Sequence, residues 1–442
     1  MGEGVLTARD SSAPMNSPAT TGGFARRDGW LHADDVPLAV LAAEYGTPSY
    51  VYSASVIRSQ YARLDRALGA VPHRLHYSVK ANGNLALLAL LRELGAGVDI
   101  VSGGELFRAQ RAGFTGADVV FSGVGKTESE LEQAVAAQVK LVNVESEAEL
   151  HLLDAVAARA RRVVPVALRV NPEVEVETAH HYTRTGARGD KFGIPYDEAL
   201  AVARAADALP NVSLAGLDMH IGSQLTRIEP YADGVRRLLE LRARITAAGG
   251  GREIRWLDIG GGLGVTYDEE READLDAFAR IVVPAAQDSG LELVMEPGRF
   301  LVGNAGVLLA RVLYRKRSGG KDFVITDAGM TELLRPSHYN AFHRIEAVGP
   351  AGEAGVVDVV GPVCESGDFF ARDRSLGSVA PGDLIVVGSA GAYGAVMSSH
   401  YNARPRVPEL LVDGAKVAVA RERETLEDLV RHESATPEWR TI

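Results

Sequence analysis

The sequence predicts a (β/α)8 TIM barrel followed by a C-terminal mainly-β domain of sandwich-like or barrel-like build, and three observations carry that prediction. Between about Val51 and Gly306, eight short β-rich runs alternate with amphipathic helical stretches, the pattern of βα units around a parallel sheet. After Gly306 strand-like runs follow one another with turn residues between them and little helix. A length of 442 residues suits two or three domains and a large core.

Residues 1–28 are rich in Ser, Ala, Gly, Thr and Pro without periodicity, the composition of a disordered N-terminal tail. "MGEGVLT" begins like a myristoylation signal, but Leu6 stands where Ser or Thr is required. Residues 29–50 form a connecting segment expected to pack on the β domain; "LAVLAAEYGTPSYVY" there and just beyond reads as a helix and a strand. The barrel is expected over 51–315, with strands in "LHYSVKA", "GVDIVS", "DVVFSG", "KLVNVES", "VPVALRVN", "LAGLDMHIG", "IRWLDIGGG" and "LELVMEPG". Helical stretches such as "LALLALLRELG", "EAELHLLDAVAARA" and "YADGVRRLLELRARITAAGG" lie between them, the last closed by glycines suited to a C-cap. Residues 316–442 form the β domain.

Composition narrows the partners. With 46% hydrophobic and 24% charged residues the chain is an ordinary globular one, and a net charge of -11 repels a polyanion, so nucleic acid is excluded and small molecules are favoured. No stretch is apolar enough to span a bilayer, and no signal-peptide core is present. Cys364 is the single cysteine, so no intrachain disulfide can form and a cytoplasmic, reducing location is expected.

In a barrel of this kind chemistry collects where strands end, and polar chemistry here collects on that rim. The first ends at Lys80, the second passes Asp99, the sixth ends in "MHIGSQ" with His220 and Ser223, the seventh in "GGGLG", and the eighth in "EPGR" with Glu296 and Arg299. A lysine held among apolar neighbours has a lowered pKa and can supply the neutral amine that attacks a carbonyl to form a Schiff base. An isolated lysine beyond a strand is ordinarily just solvated; the companions on the rim reverse that weighting. "DIGGGLG" offers bare backbone N–H groups to an anion after strand seven, although it departs from the dinucleotide pattern at Val265. "SGVGKT" is not a P-loop, because Val120 occupies the leading glycine position. His180, His181 and His220 lack metal-ligand spacing, and no metal is expected.

Taken together these motifs resemble the fold-type III pyridoxal-phosphate decarboxylases, and within them the group that acts on meso-2,6-diaminopimelate. The residues that carry the resemblance are "YSVKAN", "DIVSGGEL", "KFGI", "HIGSQ", "DIGGGLG", "EPGRFLVGNAG", "RPSHYNAFH", "GPVCESGDFF" and "GAYGAVMSSHYNARPR", in family order from Tyr77 to Arg406. The resemblance implies that Lys80 binds pyridoxal 5'-phosphate covalently, that His220 stacks on its ring, and that Glu296 pairs with the pyridine nitrogen. Asp99, Ser223, Gly260, Gly261, Gly262, Gly298, Arg299 and Tyr393 would complete the cofactor site. A carboxylate at the pyridine nitrogen favours electron withdrawal as carbon dioxide leaves, whereas related alanine racemases carry arginine there. Cys364 and Glu365 would project into a neighbouring subunit, making a homodimer with shared sites, with Cys364 the proton donor. Arg299, Arg335 and Tyr339 would take a distal carboxylate, with Tyr393 beside them and Glu365 on the distal ammonium, so that the substrate is meso-diaminopimelate and the product L-lysine, the last step of lysine biosynthesis. The alternatives are a decarboxylase of the same fold for lysine, ornithine, arginine or carboxynorspermidine, or a non-catalytic regulatory homologue. Thr331, His400 and the stretch "HHYTRTGARGDKFG" depart from the family pattern, and the loop from Arg184 to Asp190 leaves a modified substrate open.

Overall fold

The computed structural model of the protein describes residues 23–174, 186 and 189–441. Residues 1–22 of the expected tail, His180, His181 and most of the loop from Arg184 to Asp190 lie outside them.

Eight parallel strands form the barrel: His73–Ser78, Gly97–Ile100, Val119–Phe121, Leu141–Val144, Val164–Asn171, Val212–Asp218, Trp256–Asp258 and Glu292–Met295. The eighth pairs with the first, Leu293 beside His73, and closes the ring. Period-two alternation splits each strand between two cores. Val119 and Phe121 join the large cluster under the helices, whereas Val120 joins Leu141, Ala167, Ala215, Trp256 and Val294 in an apolar plug inside the barrel. That plug closes the interior below the strand ends, so polar side chains above it have one exit, toward the rim.

The helices begin where their sequences supply caps. Asn84, Ser102, Thr127 and Ser146 each accept a backbone N–H from the first turn of the helix that follows, and Thr127 with Glu130 completes a capping box. These caps fix the direction in which each strand end turns into its helix, and so the position of the rim residues.

In the β domain, strands Phe369–Gly377, Ala354–Val360, Lys321–Thr326, Gly306–Ser318, Ser49–Ser53, Glu409–Asp413 and Lys416–Arg421 lie side by side. Two expectations about boundaries change here. Gly306–Ser318 is one continuous strand that pairs within this sheet from its first residue, so the β domain starts near Gly306 and not at 316. Ser49–Ser53 lies between Gly306–Ser318 and Glu409–Asp413, so the strand at the expected start of the barrel belongs to the β domain. Phe24–Arg27, assigned to the tail, is a strand paired with Trp30–Ala33. Its Phe24 is buried with Leu31, Leu38, Val307, Leu309 and Leu410, which holds the segment to the β domain. No helix among the described residues is long and apolar enough to cross a membrane.

Candidate active site

Lys80 follows the first barrel strand in a single 3-10 turn, Val79–Ala81. The register that places Ser78 beside Asp99 on the second strand brings the carboxylate to the amine, and Lys80 Nζ donates to Asp99 Oδ2 at 3.0 Å. Ser78 Oγ lies 2.9 Å from the same oxygen and 2.9 Å from the carbonyl oxygen of Glu296, with one proton to give to either, tying strands one, two and eight together. The expectation of a lowered lysine pKa does not hold for this arrangement. Burial pushes it down, but the carboxylates of Asp99 and Glu296 outweigh burial and raise it above the usual lysine value, so the amine is a paired ammonium.

Glu296 lies inside the barrel mouth, 3% exposed. Its Oε1 accepts from Ser122 Oγ at 3.1 Å and from Asn143 Nδ2 at 3.0 Å. Burial, reinforced by Asp258 and Asp99, raises its pKa well above the carboxylate range. Asp218 and Asp258 are raised for the same reason, and these two with Glu296 bring oxygens within 4.8 Å of one another. Asn143 also donates to Asp258, and Arg169 lies 4.0 Å from Asp218, so protein donors already serve this carboxylate group.

His220 Nδ1 accepts the backbone N–H of Gly261 at 3.1 Å, which places any ring proton of the neutral form on Nε2. Burial, then the charge of Lys80, holds its pKa well below the usual histidine value. The glycines of the seventh loop have a different immediate task from the expected one. The amides of Gly260 and Gly261 are taken by Asp258 and His220, and the missing side chains make room: a Cβ on Gly261 would lie 2.1 Å from the carbonyl oxygen of Glu296. A Cβ on Gly298 would meet the Lys80 turn less severely, 3.1 Å from the Cβ atoms of Ala81 and Ser78.

Arg299 opens the short helix after strand eight. Its Nη2 donates to Ser223 Oγ at 3.1 Å and its Nη1 to the Tyr267 hydroxyl at 2.5 Å, and its Cζ is 4.8 Å from the ring centroid of Tyr393. Tyr393 is held at φ +56°, a conformation costly for a residue with a side chain, by a 2.8 Å bond from its N–H to the carbonyl of Ala81. Arg335, on the helix Arg335–Tyr339, lies over the ring of Tyr267, its Cζ 4.6 Å from the centroid. Tyr339 is on the same helix. A cavity of about 530 Å3 opens beside Lys80 and is bounded also by Glu105, Arg108, Met397, Arg406 and Arg421.

The structure therefore gathers Lys80, Asp99, His220, Ser223, the glycines, Glu296, Arg299, Arg335 and Tyr393 at one rim. Cys364 and Glu365 are on an exposed loop of the β domain, where the Cys364 N–H donates to Asn402 Oδ1 at 3.4 Å. Tyr267, His343, Ser122, Asn143 and Asp258 belong to the site without having been singled out. Asn143 had a signal, a lone amide in an apolar run, and His343 closes the stretch "RPSHYNAFH"; Tyr267 had none.

Buried polar atoms at this rim fit pyridoxal phosphate. Among the described residues Arg299 Nε and Asp99 Oδ1 are both buried without a hydrogen-bond partner, an N–H donor on the phosphate side and a carboxylate oxygen beside the Lys80 amine.

Residues 54–303 match the model of the pyridoxal binding domain of pyridoxal-dependent decarboxylases. The diaminopimelate decarboxylase of Pseudomonas aeruginosa is 49% identical over 94% of this chain and 99% of its own, and that of Vibrio cholerae 47% identical over 93% and 99%. A crystal structure of diaminopimelate decarboxylase from Helicobacter pylori complexed with L-lysine superposes with a TM-score of 0.86 at 39% identity, covering 90% of this chain and 99% of that one. The enzyme from M. jannaschii in co-complex with L-lysine gives 0.89 at 34% identity, covering 95% and 99%. The chain belongs to the pyridoxal-dependent decarboxylases, in the diaminopimelate decarboxylase family.

Proposed function

We propose that the protein decarboxylates meso-2,6-diaminopimelate to L-lysine and carbon dioxide with pyridoxal 5'-phosphate as cofactor. The observation that carries the substrate reading is the convergence of two buried guanidinium groups, Arg299 and Arg335, on Tyr267 at the rim that holds Lys80. A guanidinium fork matches a carboxylate, and a substrate with a second amino-acid head group brings one.

When bound, pyridoxal phosphate supplies an aldehyde for the substrate amine and a ring that accepts the electron pair left by carbon dioxide. Lys80 would hold it, with Asp99 Oδ2 positioned to receive the proton that the amine must lose. Glu296 would stand at the pyridine nitrogen; Ser122 and Asn143 occupy its Oε1 and leave Oε2 to share a proton there. His220, neutral by burial, would offer an uncharged ring face. Ser223, Gly260, Gly261, Gly262, Gly298, Arg299 and Tyr393 would enclose the phosphate end, and Tyr339 would join the arginines at the distal carboxylate.

Cys364 and Glu365 are exposed on the β domain. In this reading they reach the site of a second chain in a homodimer, where the thiol gives the proton that replaces carbon dioxide and Glu365 pairs with the distal ammonium. The lone thiol, with no disulfide to form, fits work in the cytoplasm.

Incubating the holoenzyme with meso-diaminopimelate and assaying lysine and carbon dioxide tests the reading. Wild type should form both in equal amounts and Lys80→Ala neither. Efficient turnover of ornithine or lysine, with diaminopimelate inert, would overturn the substrate assignment.

A further inference from the structure

We infer that Tyr267 and His343 are positioning residues that hold Arg299 and Arg335 as a charged pair, and thereby set the preference for ligands with a distal carboxylate. The inference rests on the reading of those two arginines given above.

Arg299 and Arg335 are 7% and 6% exposed, and two like charges taken out of water at one place need compensation. Neither forms an ion pair among the described residues. Tyr267 is the element they share: its hydroxyl accepts from Arg299 Nη1, while the Cζ of Arg335 lies 4.6 Å from its ring centroid, within reach of the electron-rich face. His343 serves Arg335 from the other side, its Nε2 2.8 Å from Arg335 Nη1. The tautomer follows from the partner of Nδ1, the carbonyl oxygen of Gly388 at 2.8 Å: a carbonyl only accepts, so Nδ1 carries the proton and Nε2 presents its lone pair to the arginine. His343 also packs edge-on to Tyr267, with ring centroids 5.2 Å apart at 79°.

Both supports are acceptors, an imidazole kept neutral and a phenol whose pKa burial raises but Arg299 and Arg335 bring below the usual tyrosine value. A carboxylate in either place would fix the guanidinium groups equally well but cancel their charge, leaving little attraction for a substrate carboxylate. A phenol and an imidazole orient the pair and leave the positive charge for the ligand. His343 is fully buried, and Arg335 beside it keeps it from becoming a cation. Tyr267 is itself pinned: Gln224 clamps Val265 through both its N–H and its carbonyl, and the Tyr267 N–H donates to Glu270 Oε1 at 2.9 Å.

L-lysine and cadaverine separate this claim from general damage, because they share a chain and two amines and differ in one carboxylate. Each is titrated into the holoenzyme, read by the cofactor absorbance, for wild type, Tyr267→Phe, His343→Leu, His343→Gln and Arg335→Ala. Wild type is expected to bind lysine more tightly than cadaverine. Tyr267→Phe and His343→Leu should each lose about tenfold of that preference, the factor one ordinary hydrogen bond is worth, with cadaverine affinity little changed; the melting temperature should hold in Tyr267→Phe and fall in His343→Leu, which leaves the Gly388 carbonyl without its donor. His343→Gln, which can still accept, should recover part of it. With diaminopimelate the same losses should fall on KM and leave kcat near the wild-type value. If Arg335→Ala destroys the preference while Tyr267→Phe and His343→Leu keep it, this inference is wrong and the substrate reading stands. If Arg335→Ala keeps the preference too, the distal-carboxylate reading fails with it. Tyr267→Phe removes a single oxygen, so it decides the matter even where His343→Leu does not fold.

Discussion

Lys80 shows how a neighbour reverses the effect of burial. Burial alone lowers the pKa of its amine, but Asp99 at 3.0 Å holds it as an ammonium with a raised pKa. Only the neutral amine attacks an aldehyde, so the rate at which cofactor-free protein captures pyridoxal phosphate should rise about tenfold per pH unit through neutral and mildly alkaline solution. In Asp99→Asn the chief anion is gone, the lysine pKa falls, and the rise should move to lower pH; stopped-flow absorbance measures both, and a pH-independent wild-type rate would contradict the assignment. The lysine, the glycine loop and Glu296 were legible because each stands at a strand end, where alternation stops and a turn begins. The pKa was not legible, because Asp99 is 19 positions away in sequence and reaches Lys80 only through the pairing of neighbouring strands. Tyr267 was invisible for the same reason, being brought to Arg299 and Arg335 by a loop that carries no repeating pattern, whereas His343 stands eight positions from Arg335 in the stretch "RPSHYNAFH" and only its contact was hidden.

At the scale of elements, the barrel interior is layered: an apolar plug below, a polar layer of Ser122, Asn143, Asp218, Asp258 and Glu296 above it. His76, on the first strand, has both ring nitrogens buried without a partner among the described residues, and burial, aided by Lys140 and Arg74, lowers its pKa to about 3. A histidine kept neutral in the fold takes up its proton only on unfolding. Its penalty is absent above the unfolded pKa of about 6.5 and grows by about 1.4 kcal/mol per pH unit as pH falls from there toward the folded value. His76→Leu, similar in volume, should therefore raise stability by about 1–3 kcal/mol at pH 7, with the gain increasing below pH 6.5. Denaturant melts at pH 7 and pH 5 measure it, and a destabilised variant at both would assign the imidazole a partner. The seventh loop offers the converse case. Gly261→Ala drives a methyl into the backbone of Glu296, 2.1 Å from its carbonyl oxygen, where no side chain can swing away. It should lower both the melting temperature and cofactor affinity, the latter by more than about tenfold, as read by absorbance titration.

The whole molecule is joined at two levels. Within a chain, Ser49–Ser53 pairs with strands on both sides of it, so the segment before the barrel completes the domain after it. That long-range pairing is why the boundary could not be read locally: the run from Gly306 to Ser318 has no break in composition where the domains meet. Between chains, the proposed homodimer divides each site, with Lys80 from one protomer and Cys364 from the other. Mixing Lys80→Ala with Cys364→Ala chains, each inactive alone, should restore roughly a quarter of wild-type activity. Half of the random dimers are mixed, and each mixed dimer has one intact site. No recovery after confirmed subunit exchange would place both residues in one protomer's site.

The claim on which the rest depends is that the amine at the end of the first barrel strand seats the cofactor. Borohydride reduction of the holoenzyme, followed by proteolysis and mass spectrometry of the peptides, reads it directly. The added mass of the reduced cofactor should fall on Lys80; its appearance on another lysine, with Lys80 unmodified, would contradict the account.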